Sequence, residues 1–283
     1  MSVEKPQLEA FWKSEKGKKD KPEESEELKE RKAELEQKAV TLAQEAERAF
    51  SSNDLTQTLE KLRELQRTVG MELIENREQF EKFEQEFNRQ IENLSKKGFP
   101  KLAGMDEKKF STIFEPLKEQ LKELSGKQFK EGRIPFVVVP REKLLALEKE
   151  IPLMEVDGKK GFTQLNLSEL KTADGVEIPE SMAYLVVDVE NGKAMLGRIP
   201  DEAVKQFKKE GRSPLTAEEG VAIILQHPEI LKDHYMDLPG SRPGDDGVAS
   251  LWLSEGKPEL CWNWASSSSA KWGSASCGSR VGP

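Results

Sequence analysis

Two cysteines, two histidines and two tyrosines in 283 residues leave little material for several kinds of chemistry. His227 and His234 stand seven apart, and no C-x-x-C, H-E-x-x-H or EF-hand spacing accompanies them, so no metal site is expected. Neither a Walker loop nor a G-x-G-x-x-G turn is present, which removes the usual nucleotide cradles, and no cofactor is expected. An excess of positive charge is also lacking. With 44 Lys and Arg against 52 Asp and Glu, the net charge of −8 argues against nucleic acid or an anionic membrane as the main partner. No apolar run is long enough to cross a bilayer, and Met1-Ser2-Val3-Glu4-Lys5 is not followed by an apolar leader. The expectation is a cytoplasmic protein with reduced thiols. Spacing alone leaves open whether Cys261 and Cys277 are bridged.

What the chain does have is charge and helical periodicity in its first third. Residues 1–22 are rich in Lys and Glu and read as a tail, with Phe11 and Trp12 as its aromatic exception. From 23 to 97, Leu28, Leu35 and Leu42 repeat every seven, and Ser51-Ser52-Asn53-Asp54 breaks the pattern with turn and cap residues. Leu55, Leu59, Leu62, Val69, Leu73, Phe80, Phe83, Phe87, Ile91 and Leu94 then follow at three- and four-residue steps. This spacing predicts two long helices packed antiparallel as a coiled-coil hairpin, with Gln66 and Asn76 as polar seam positions. Such a hairpin supplies self-association or a protein contact.

Beyond Gly98 and Pro100 the pattern is mixed. Asp106 caps a predicted helix carrying Phe110, Ile113 and Phe114, and a second helix after Pro116 carries Leu117, Leu121 and Leu124. Ile134 to Val139 and Ala183 to Val189 read as buried strands, 141–149 as a short helix, and Asn191-Gly192 as a hairpin turn into a strand at 194–196. Thr216 and Glu219 have capping-box spacing ahead of an apolar helix that ends near His227 because Pro228 follows. The predicted class is therefore α+β: a tail at 1–22, a helical hairpin at 23–97, and a domain at 98–283 with a small, mostly antiparallel sheet and several helices.

Four of the five tryptophans and both cysteines lie between Leu251 and Arg280. Alternation predicts a hairpin of strands 248–253 and 259–264, the second presenting Trp262 and Trp264. The triplet Gly-Ser-Arg occurs at 240–242 and again at 278–280. A glycine flanked by a hydroxyl and a guanidinium offers several donors to a carboxylate or phosphate, although surface turns are rich in the same residues. Ser241, Arg242, Ser279 and Arg280, together with Trp262, Trp264 and Trp272, are the candidate ligand-binding set. The ligand they suit is an anionic small molecule or peptide, and the role is that of a binding or adaptor module. The enzyme alternative is a cysteine-dependent hydrolase or transferase with Cys277 as nucleophile, His227 or His234 as base, and Arg280 lowering the thiol pKa. A third reading makes the coiled coil the functional part.

The segments Arg212-Ser213-Pro214-Leu215-Thr216-Ala217-Glu218-Glu219-Gly220 and His227-Pro228-Glu229, with Gly240-Ser241-Arg242, the Trp-rich strand and the ending from Trp272 to Arg280, resemble together a bacterial protein family of unknown function. The resemblance covers Gly98 to the C-terminus. It implies a bacterial cytoplasmic setting and a compact C-terminal domain, and it brings no activity with it. Where that family has a His-Thr pair before the later tryptophan, this chain has Ala270-Lys271, so a mechanism built on that histidine has no residue here.

Overall fold

The computed structural model describes residues 26–52 and 54–283, with side chains from 33 onward except at 53 and 66–76. The tail at 1–22, with Phe11 and Trp12, and the seam positions Leu28, Gln66, Val69, Leu73 and Asn76 lie outside the described residues or side chains. The chain divides into two compact units, residues 1–75 and 76–283.

In the first unit, helix α1 (Glu26–Ser51) is followed by a short break and helix α2 (Leu55–Lys96), which runs on into the second unit. Asp54 caps α2, its carboxylate accepting from Gln57 N–H at 2.9 Å. Leu42, Ala46 and Ala49 of α1 are buried, as is Thr58 of α2, and Lys61 pairs with Glu45 at 2.9 Å. The periodicity had placed Leu55, Leu59 and Leu62 in the seam. They are instead 59%, 53% and 47% exposed, because the face of α2 carrying Thr58 and Lys61 is the one turned to α1.

The second unit begins with the rest of α2, where Phe83, Phe87, Ile91 and Leu94 are buried. Gly98, at φ 91°, lies just past the end of that helix. Helix α3 (Glu107–Phe114) starts at Asp106, whose carboxylate accepts from Lys109 N–H at 2.8 Å; α4 (Lys118–Leu124) follows the turn at Pro116. The strands in order are β1 (Ile134–Pro140), β2 (Phe162–Thr163), β3 (Lys171–Thr172) and β4 (Ala183–Val189). Helix α5 (Pro200–Lys209), β5 (Ser213–Pro214) and helix α6 (Ala217–Gln226) come next. Then follow β6 (Tyr235–Leu238), β7 (Ser241–Arg242), β8 (Gly247–Ser254), β9 (Lys257–Trp264), β10 (Trp272–Ser274), β11 (Ser276–Cys277) and β12 (Ser279–Val281). Two expectations fail locally. Residues 193–195 form a 3-10 turn rather than a strand, since Gly192 at φ 98° turns the chain away from β4; and helix at 141–149 is confined to Leu147–Glu150.

One sheet has the order β1-β4-β12, antiparallel throughout. A five-stranded sheet has the order β10-β6-β8-β9-β2, antiparallel in its middle and parallel at both edge pairings, and three two-stranded ladders accompany the two larger sheets. Helix α6 packs against strands of both. Its run Val221 to Leu225 is buried on every side, as an apolar helix without a polar face must be. Gly220 lets it approach β6 closely: a Cβ there would lie 2.8 Å from one Leu238 methyl and 3.0 Å from a Leu251 methyl. One contiguous core joins α2, α3, α4, α6 and both sheets.

Candidate functional site

The two segments that stand out in the sequence, 212–220 and 272–280, meet in space. Strand β5 pairs with β11, placing Ser213 opposite Cys277 and Pro214 opposite Ser276. Glu219 occupies the centre of the junction and is fully buried. Its carboxylate closes the capping box on Thr216 N–H at 2.8 Å and accepts the Tyr184 hydroxyl at 2.8 Å. Arg280 adds two further bonds, from Nε at 2.6 Å and Nη2 at 2.9 Å. The guanidinium also donates to Ser213 Oγ at 2.6 Å and to the Pro214 carbonyl at 2.8 Å. Burial opposes the charge on Arg280, but Glu219 outweighs it and holds the guanidinium pKa above its usual value. Arg280 thus fastens the last strand to the start of α6.

A second arginine locks the other end of the same motif. Arg212 reaches Ser276 Oγ at 2.9 Å and donates to the Asp188 carbonyl at 2.6 Å, and with Arg133 it clamps the Asp188 carboxylate. Asp188 sits at φ 53°, a conformation that Asp tolerates better than most side chains, near the end of β4. Burial raises its pKa, yet the two arginines together bring it below the usual carboxylate range. Charge patterning gave no hint of this pairing, because the partners are 55 and 24 residues away.

Cys277 is completely buried in β11. Burial above all, with Glu219 next, pushes its thiol up to about 12, and Arg280 and Arg212 do not offset them. Neither histidine is among the charged groups acting on it. His234 is buried, with Nε2 3.0 Å from the Asn191 carbonyl oxygen and Nδ1 3.2 Å from Asp233. His227 ends α6 with Nδ1 3.4 Å from Glu229, while its buried Nε2 has no hydrogen-bond partner among the described residues. Cys261 and Cys277 are both free thiols, and among the described residues no three His, Cys, Asp or Glu cluster in a way that would hold a metal.

The proposed recognition set is split between two faces of the five-stranded sheet. The register aligns Trp272, Tyr235, Trp252 and Glu259 in a row, where Tyr235 meets Trp272 and Trp252 edge to face at 5.1 and 6.0 Å. The next row holds Ser274, Asp237, Ser250 and Cys261. Asp237 is buried there, which raises its pKa, although Ser250 Oγ donates to it at 2.8 Å. The alternating pleat puts Trp262 and Trp264 on the opposite face. They are 45% and 53% exposed, edge to face with centroids 4.8 Å apart. Trp272 therefore does not join them.

The two Gly-Ser-Arg triplets also diverge. Gly278 to Arg280 enters β12 instead of a surface turn, with Ser279 half-buried opposite Val187. Gly240 and Ser241 press against the chain ahead of α6: a Cβ on Gly240 would lie 2.6 Å from the Leu215 carbonyl oxygen, and Ser241 Oγ accepts Ala217 N–H at 2.9 Å. Arg242 alone keeps a lightly held guanidinium, 3.3 Å from Asp201 and 3.4 Å from the Gly247 carbonyl. Gly247 lies opposite Trp264 in the ladder and under the Trp262 ring, so Arg242 and the exposed tryptophans share one neighbourhood.

A family model described as a family of unknown function, DUF5701, matches residues 93–283. No curated protein and no solved structure matches the chain.

Proposed function

Because the chain belongs to DUF5701, a family of unknown function, we propose a role from its own residues: a non-catalytic binding protein that takes an extended, acidic peptide segment at the Trp262–Trp264 end of β9. One observation carries this reading. Two large aromatic rings stand exposed at the end of a strand whose outer side is paired only at Glu259 and Leu260, so among the described residues Cys261 to Trp264 have no strand partner on that side. An open strand edge supplies main-chain donors and acceptors to an incoming extended chain, and exposed indoles supply area at small entropic cost. Arg242 beside them offers a charge-assisted bond to a carboxylate of the segment. A peptide suits this open edge better than a small anionic molecule does.

The helical pair α1–α2 is read as a coiled-coil hairpin that supplies self-association. Val40, Phe50, Leu55, Leu59 and Leu62 are all exposed on it, an apolar array that a second copy would cover. Two free thiols suit a cytoplasmic setting. Against the cysteine-enzyme alternative stand the full burial of Cys277 and the push of its thiol up to about 12 by that burial.

The test is acrylamide quenching of tryptophan fluorescence in the full chain, titrated with labelled peptides in which Asp or Glu alternates with Val or Thr. Protection of two tryptophans on binding, lost in Trp262→Ala/Trp264→Ala and weakened roughly tenfold in Arg242→Ala, is the expected result. No binding up to about 1 mM peptide overturns the reading.

A further inference from the structure

Away from the tryptophan surface, a cavity of about 400 Å³ lies where the end of β1, the segment leading into β3, and the start of α6 come together. Its inner wall carries hydrogen-bond donors left over from the fold. Ser241 and Thr216 are 5% and 4% exposed. Each hydroxyl oxygen accepts one backbone N–H, Ser241 from Ala217 and Thr216 from Glu219. Among the described residues neither hydroxyl proton has an acceptor, and a buried donor in that condition costs free energy unless something in the cavity takes it. Arg141, on the same wall, has a buried Nε that makes no hydrogen bond among the described residues and is ion-paired with the Glu218 carboxylate at 3.4 Å. The positive end of the ten-residue helix α6 adds to this field at Thr216 and Ala217.

The mouth has the opposite character. Glu142 and Glu148 are exposed there, and Glu218 stands between mouth and wall, its carboxyl raised by burial. The remaining lining is aliphatic, with Leu147, Leu167, Leu170 and Ile178. A carboxylate inside, an ammonium at the mouth and an apolar side chain between them satisfy all three zones at once.

We propose that this cavity is a binding site for a zwitterionic, aliphatic α-amino acid, its carboxylate received by Ser241, Thr216 and Arg141 and its ammonium by the glutamates at the mouth. A simple anion would meet three carboxylates on entering, and a simple amine would leave the inner donors unmet. Binding energy of this kind comes from completing buried hydrogen bonds, so it discriminates strongly against ligands lacking either charged group.

Isothermal titration of the full chain with leucine, isoleucine and valine, against isovalerate and isoamylamine, tests the proposal. The amino acids are expected to bind at least tenfold more tightly than either half-ligand. Leu170→Trp fills the cavity from a half-buried loop position, and Glu148→Ala removes an exposed mouth charge; the first should abolish binding and the second weaken it several-fold, both with unchanged melting curves. No binding at about 10 mM ligand, equal binding of a half-ligand, or full affinity in Leu170→Trp overturns it. Peptide binding at Trp262 and Trp264 is read separately, so either site can fail without the other.

Discussion

Replacing Arg280 with alanine separates a fastening role from a recognition role. The Arg280 side chain is 5% exposed and that of Glu219 fully buried, and the guanidinium makes four hydrogen bonds, two of them to that carboxylate. Removing one partner of a buried pair leaves the other charge uncompensated and typically costs about 3–5 kcal/mol. For a unit of this size each kcal/mol lowers the melting temperature by about 2–4 °C, so a fall of roughly 10 °C is expected. Glu219→Gln leaves Arg280 as the stranded partner, and the double variant loses less than the sum of the two. A thermal and urea double-mutant cycle should return a coupling of about 2 kcal/mol or more. An apolar pair does not substitute, because Glu219 also receives Tyr184 O–H and Thr216 N–H, which a leucine would leave unpaired in the core. Arg242→Ala is the internal control: its ion pair with a half-exposed Asp201 at 3.3 Å is worth about 1 kcal/mol at most. A loss below about 1 kcal/mol in Arg280→Ala, or an additive cycle, refutes the reasoning.

Gly220→Ala should destabilise by about 1–3 kcal/mol despite the better helix propensity of alanine, since the new methyl meets the Leu238 and Leu251 methyls; a more stable variant in urea unfolding would show that β6 yields easily. Glu150 is buried, one of its carboxyl oxygens has no hydrogen-bond partner among the described residues, and burial followed by the nearby Glu218 raises its pKa well above the usual value. The folded state therefore holds a proton that the unfolded chain has already released. Stability from this group is full below the unfolded pKa and falls as pH rises toward the folded one, by up to about 1.4 kcal/mol per pH unit. Glu150→Gln should match the wild type near pH 4 and exceed it at neutral pH, and parallel pH profiles would contradict that sign. Cys277 should be alkylated only as fast as the domain unfolds, so a rapid reaction in native buffer would reopen the enzyme reading. Light scattering should give at least twice the monomer mass, reduced to the monomer in Leu55→Glu/Leu59→Glu/Leu62→Glu; a monomeric wild type would rule out self-association through the helical pair.

Local rules carried much of the fold. Asp106 and Thr216 cap the helices that their spacing announced, and the β8–β9 hairpin follows its alternation, because caps and pleats depend on residues three or two apart. What the sequence hid were the partners across the fold. Both Gly-Ser-Arg triplets look alike as strings, yet one arginine ends 61 residues away on Glu219 and the other stays near the surface. The tryptophans cluster in sequence, but strand pairing sends Trp272 and Trp252 to one face and Trp262 and Trp264 to the other. Three- and four-residue spacing marked an apolar stripe on α2 and put Leu55, Leu59 and Leu62 in the seam, whereas they are exposed.

Arg280 and Cys277, two of the candidates for chemistry, are engaged or buried within the fold. Glu219, Arg280 and Arg212 are held by fold contacts, and Asp188 is clamped through one carboxylate oxygen, so a ligand at that junction would have to displace bonds that keep β11 and β12 in place. Binding that destabilises its own scaffold is weak, because the ligand must supply the lost contacts before any surplus appears. Sites with unspent capacity are better placed: the open edge beside Trp262 and Trp264, and the cavity where Ser241, Thr216 and Arg141 keep donors in reserve. The second of these is organised by the first turn of α6, which the Arg280–Glu219 pair fixes. Loosening that pair should therefore weaken amino-acid binding at the cavity more than peptide binding at β9, and equal losses at both would mean that the pair acts only through global stability.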